Sequence, residues 1–154
     1  MDLDCVLGYD TVLKIRSWIE KKTNKKVIPV WHLSRGMEDF YSMCEAYDYV
    51  AIGGIASREF PRKDHDKLWE LCDIAHSYGC KIHGLGYMPL KILNSGNCPF
   101  DTVDGTSWRG DQRGESFQII NDNIVKIKDK RYWKDIAYDC FETWTEFSKI
   151  VENK

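Results

Sequence analysis

The sequence predicts an α/β fold of parallel βα repeats followed by a β-hairpin and a long C-terminal helix. Three observations carry this. Short apolar runs alternate with single amphipathic helices, the signature of βα units on a parallel sheet. Polar or glycine residues recur where each apolar run ends. Towards the C-terminus the style changes, to two short runs around Asn121-Asp122-Asn123 and then a long stretch of helical period.

Taken in order, Leu3–Leu7 reads as a first strand closed by Gly8. Asp10 is placed to cap a helix carrying Val12, Leu13, Ile15, Trp18 and Ile19 on one side, and the polar stretch Lys21–Lys26 ends it. Val27–Trp31 (VIPVW) is a strand of the fully buried type. Gly36 leads into a helix with Met37, Phe40, Tyr41 and Cys44, and Tyr49–Ile55 (YVAIGGI) is the third strand. Beyond the charged loop Ser57–Lys63, Asp64 can cap a helix displaying Leu68, Leu71, Cys72 and Ala75, which ends near Gly79. Cys80–Leu85 is the fourth strand, Pro89–Leu93 a short helix and Phe100–Asp104 the fifth strand. Ser116–Ile120 and Ile124–Lys128 form the hairpin. The last helix, Tyr132 to Glu152, carries Trp133, Ile136, Cys140, Trp144, Phe147 and Val151 on a face expected to pack across the sheet. With no linker or low-complexity segment, residues 1–154 read as one domain, βα repeats to 113 and a hairpin with a capping helix from 114.

Composition narrows the function classes. At 154 residues and 43% apolar content the chain can bury a single core. Its 22 Lys+Arg against 24 Asp+Glu give a net charge of −2, without the basic excess of a general polyanion binder. No apolar run approaches the ~20 residues of a membrane span, and the start MDLDCVLGYD lacks the basic n-region of a signal peptide. The reading is a soluble, cytoplasmic protein with no membrane partner. The cysteines Cys5, Cys44, Cys72, Cys80, Cys98 and Cys140 include no Cys-x-x-Cys pair and read as structural or free thiols, with no metal site.

Open parallel sheets bind ligands at the carboxyl ends of their strands. Here Asp4 lies in the first predicted strand, His32 ends the second and Gly53-Gly54 ends the third. His83-Gly84-Leu85-Gly86 ends the fourth and Asp104-Gly105-Thr106-Ser107 the fifth. Each has a plainer reading. His32 and His83 also read as satisfied core histidines. The glycine pair lets a strand turn, although glycine also lets a flat ligand approach the backbone. Gly84-x-Gly86 lacks the third glycine of a phosphate loop, and Asp104 sits in turn chemistry. The run Lys126, Lys128, Lys130, Arg131 and Lys134 reads as a solvated face, or as a strip for phosphate contacts.

In sequence order, PVWH, YVAIGGI, KIHGLGY and PFDTVDGTSW resemble a phage and prophage group related to the tRNA-guanine (7-deazaguanine) transglycosylases, over about residues 3–113. The resemblance implies half of a TIM barrel, the C-terminal half of a fold that takes about 250 residues when complete. It implies exchange of a guanine for a 7-deazaguanine base in tRNA, DNA or a nucleoside, in the cytoplasm of a bacterial host. Asp104 matches the nucleophile that attacks the anomeric carbon. Gly53 and Gly54 match the backbone bordering the base pocket, and Asp4 the aspartate that reads the base's amino and imino groups. His32, His83, Gly84, Gly86 and Ser107 would complete the substrate site. The family's zinc ligands are absent and no cofactor is implied. The open edges of a half barrel call for a homodimer or a separately encoded N-terminal half. Two other readings stand beside the enzyme: a non-catalytic nucleobase or nucleotide binder derived from that barrel, and a metal-dependent hydrolase using His32, His83 and Asp104.

Overall fold

The structure is a computed structural model that describes residues 4–61 and 65–153, the first two by backbone alone. The chain divides into two compact units, Met1–Leu85 with Phe100–Thr102, and Gly86–Pro99 with Val103–Lys154.

The first unit opens on helices α1 (Asp4–Leu7) and α2 (Tyr9–Thr23). A strand was expected at Leu3–Leu7. Its described residues form a helical turn instead, because a short apolar run without a partner does not distinguish strand from helix, and a turn bonds its own backbone. Gly8, at φ 75°, breaks that turn from α2 in a conformation other residues avoid. β1 (Val30–Trp31), β2 (Tyr49–Ile52), β3 (Lys81–Gly84) and β4 (Thr102–Val103) then form one sheet in the order β1-β2-β3-β4. β2 runs parallel to both of its neighbours, as the βα alternation predicts. Each strand is shorter than its apolar run: β1 is trimmed at its start, while Gly53, Leu85 and Asp104, trimmed from the ends of the other runs, lie at the exits of β2, β3 and β4.

Helices α3 (Met37–Ala46) and α4 (His65–Ser77) connect these strands. They bury Phe40, Met43 and Cys44, and Leu68, Leu71, Cys72 and Ala75, at the spacing expected of amphipathic helices. Val50, Ile52 and Ile82 are fully buried on the sheet, and Trp31 lies 4.9 Å from Phe40, ring to ring. Asp64, the expected cap of α4, lies outside the described residues. No described helix is long and apolar enough to cross a membrane.

The second unit holds α5 (Leu90–Ser95), the hairpin β5 (Glu115–Ile120) and β6 (Asn123–Lys128), and α6 (Trp133–Glu152). Asn121 and Asp122 both take positive φ, 49° and 59°, so the hairpin turns on two residues rather than the three expected. Leu93, Phe117, Ile124, Ile136, Cys140 and Phe147 form the core. Within this unit α6 lies along β5, where Thr143 Oγ1 donates to the Phe117 carbonyl at 3.4 Å. Trp133, expected on the packed face, is 52% exposed.

Acid-sensitive contacts tie this unit together. Arg113, Lys128 and Lys126 converge on Glu115 and hold its carboxyl down at about 2. Arg109 makes a two-point pair with Asp111, at 2.7 and 2.8 Å, and lowers that carboxyl as well. A carboxyl depressed by folding stabilises the fold above its unfolded value of about 4, and that contribution is lost as pH falls through the folded value. The melting temperature should therefore drop steeply between about pH 4.5 and 2. Melts followed by circular dichroism test this, and a flat profile over that interval would show these pairs to be inert.

Candidate functional site

Parallel pairing carries the exits of β1, β2 and β3 to one end of the first unit's sheet. Gly53 N–H donates to the Trp31 carbonyl at 2.8 Å and Leu85 N–H to the Ile52 carbonyl at 3.1 Å, which sets His32, Gly53 and Leu85 just beyond the last paired residues. His32 is extended and only 5% exposed, and its Nδ1 lies 2.8 Å from Glu59 Oε1. Arg35 follows it in a 3₁₀ turn and donates to the Val30 carbonyl at 2.7 Å, fixing the end of β1.

The glycines serve this pair directly. A Cβ on Gly53 would stand 2.4 Å from His32 Cε1, and one on Gly54 2.5 Å from the Glu59 carboxyl carbon. Glu59 is returned to the rim by a tight loop in which its own N–H bonds the Gly54 carbonyl at 2.9 Å. The bare backbone at 53 and 54 thus makes room for an imidazole and a carboxylate of the protein itself. A buried imidazole held by a one-third exposed carboxylate leaves that carboxylate oriented yet reachable from solvent.

His83 lies in β3 opposite Ala51, and its Nδ1 is 2.6 Å from Thr102 Oγ1, which also bonds the Tyr49 hydroxyl. Tyr49 and His83 share one face of the sheet, since their strand partners Lys81 and Ala51 alternate with buried Ile82 and Val50. A hydroxyl has one proton to give. If the tyrosine donates to Thr102, the threonine proton goes to Nδ1 and the neutral His83 carries its own proton on Nε2. Gly84 ends this strand, buried beside Ile52.

The second unit holds the remaining predicted residues. Gly86 N–H donates to Asp104 Oδ1 at 2.7 Å, so the exposed Asp104 is anchored through one oxygen. Ser107 is exposed in the 3₁₀ turn Thr106–Trp108, where its carbonyl accepts from Arg113 at 2.9 Å. Asp4, expected in a strand, belongs to the helical turn α1. The structure thus groups His32 with Gly53 and Gly54, sets His83 and Gly84 in β3, and pairs Gly86 with Asp104. Glu59, Tyr49 and Thr102 escape sequence reasoning. Glu59 sits in a charged loop without periodicity, and the other two look like ordinary strand residues.

The two lysine-rich segments differ. In the C-terminal run, Lys126 and Lys128 both pair with Glu115 at 3.3 Å, and Arg131 pairs with Asp129 and Asp139 at 2.6 and 2.7 Å. On α2, Lys14, Lys21 and Lys22 surround Trp18, which is 65% exposed, at positions i−4, i+3 and i+4, and Lys25 follows the helix. These four lysines are exposed and have no acidic partner among the described residues.

Among the described residues no group of three or more His, Cys, Asp or Glu side chains is arranged to hold a metal ion. In comparisons with family models, curated proteins and solved structures, nothing matches the chain.

Proposed function

We propose that this protein is a transglycosylase-like binder of a guanine-type base carried by a nucleic acid, with its recognition group at the strand exits of a partial-barrel sheet. The observation that carries this reading is the His32–Glu59 pair seated on Gly53 and Gly54. Guanine presents an imino N–H beside an amino group, two parallel donors that a carboxylate accepts together and that adenine lacks. Glu59, steadied by the buried imidazole, is the carboxylate for that edge. The recognition role moves from Asp4 to Glu59. The lysines around Trp18 favour a polyanionic carrier over a free base, since they offer phosphate contacts and a stacking surface in the same unit.

One observation favours the enzyme itself: Asp104 is fixed by the Gly86 amide. In base exchange this carboxylate would bond the anomeric carbon as the carbon–nitrogen bond breaks and the departing base takes a proton from solvent. The incoming base would then form the new carbon–nitrogen bond as the aspartate–carbon bond breaks, returning one proton to solvent.

Binding of single-stranded oligonucleotides rich in guanine or adenine, followed by fluorescence anisotropy, tests the reading. Guanine should bind more tightly, and Glu59→Gln should remove that preference at a cost of about 10–100-fold. Replacing the four α2 lysines by glutamine should flatten the log–log salt dependence by about 3, at about 0.7 per phosphate contact. Equal binding of both oligonucleotides with an inert Glu59→Gln would overturn the proposal. Incorporation of labelled guanine that Asp104→Asn abolishes, with binding retained, would establish exchange.

A further inference from the structure

We propose that α6 pairs with α6 of a second copy of this chain, antiparallel about a two-fold axis, through the seam Lys134, Tyr138, Phe141, Thr145, Ser148 and Glu152. The helix has two stripes. One carries Ile136, Cys140 and Phe147 into the core of its own unit. The other runs at spacings of 4, 3, 4, 3 and 4, the repeat of a coiled-coil seam, and all six of its residues face solvent. Tyr138 is 63% and Phe141 59% exposed, a large apolar area for a surface helix, and Phe141 is steadied edge-on against Trp108 at 6.3 Å.

The sequence of the seam specifies the occupant. With the two-fold axis level with Thr143, Phe141 meets Thr145 of the copy and Tyr138 meets Ser148 of the copy, so each of the four inner layers sets a ring against a small hydroxyl residue. Lys134 meets Glu152 of the copy at both ends of the pair. Neither charge has an acidic or basic partner among the described residues of a single chain, the Lys134 amine lying over the Trp133 ring at 5.5 Å. On one flank Asp135 approaches Lys149 of the copy, while Glu142 approaches its own copy near the axis, the one like-charge contact of the pair. A parallel arrangement would stack lysine on lysine and ring on ring. The seam lies outside the residues that carry the transglycosylase resemblance and does not depend on the base-binding proposal.

Twenty residues of helix give a contact about 30 Å long. One helix pair lies at the small end of interface sizes, so a dissociation constant on the order of micromolar is expected. Sedimentation equilibrium of the full chain from about 1 to 100 μM brackets that range. Phe141→Lys should leave a monomer at every concentration. Its melting temperature, measured well below the dissociation constant, should fall by only a few degrees, for the loss of the edge contact with Trp108. Lys134→Glu alone and Glu152→Lys alone should each weaken pairing about tenfold, and the double variant should restore it. Both substitutions suit the helix dipole, acid near the start and base near the end, so neither should harm the fold. Glu142→Gln should tighten the dimer. A wild-type monomer throughout, a dimer indifferent to Phe141→Lys, or a double swap that fails to restore pairing would each overturn the proposal.

Discussion

Replacing Gly110 by alanine is expected to destabilise the protein by about 3 kcal/mol, the upper part of the range for overpacking. For a chain of this length that corresponds to a fall in melting temperature of roughly 6–12 °C. The added Cβ would stand 2.3 Å from the Glu115 carbonyl oxygen, 2.9 Å from its carbon and 3.2 Å from Phe117 Cε2. Two of those atoms are backbone, and that backbone cannot give way cheaply. Glu115 opens β5 in register with Lys128, its carbonyl faces the Cys140 thiol of α6, and its side chain gathers Arg113, Lys126 and Lys128. Gly110 is absent from the positive-φ glycines, so alanine there meets no dihedral penalty and the loss reports the clash alone. Thermal and urea melts of wild type and variant measure it. A change within one or two degrees would mean that the turn holding Gly110 yields and that its close approach to Glu115 is not required for stability.

The fold was legible where one physical signal dominated. The body of β2 is almost wholly apolar, and β2 and β3 each follow an amphipathic helix, so type and parallel direction followed together. The hairpin was legible from its residues, although Asn123 pairs with Ile120 and leaves only Asn121 and Asp122 for the turn. Asp4–Leu7 was not legible, since four residues are too few for a period of 2 to be told from one of 3.6. At the site, the glycine pair announced itself but its purpose did not. Glycine marks a place where atoms come close, and the sequence does not say whether those atoms belong to a ligand or to the protein. At Gly53 and Gly54 they are His32 and Glu59, the latter reached through a loop turn that leaves no spacing signal. The seam on α6 escaped for another reason. Six residues recur at heptad spacing, but only Tyr138 and Phe141 are apolar, so the stripe shows itself only once the buried face is assigned elsewhere.

The glycine beside His32 offers the second large effect. Gly53→Ala would place a Cβ 2.4 Å from His32 Cε1, 2.5 Å from Nε2 and 2.9 Å from Val30 Cγ1. Gly53 and Val30 are held by the β1–β2 ladder, so the imidazole is the part able to move, and moving it breaks the 2.8 Å contact with Glu59. The expected cost is about 2 kcal/mol of stability, together with loss of any base preference that depends on an oriented Glu59. Removing the ring tests the cause. His32→Ala alone should also destabilise, by leaving a cavity where a buried side chain stood. In the double variant the new methyl group enters space the ring has vacated, so the combined loss should fall short of the sum by about 1 kcal/mol or more. Denaturant melts of the four proteins give that coupling energy. Additive losses would show that Gly53 is required for something other than the imidazole, and the role assigned to the glycine pair would then pass to the backbone itself.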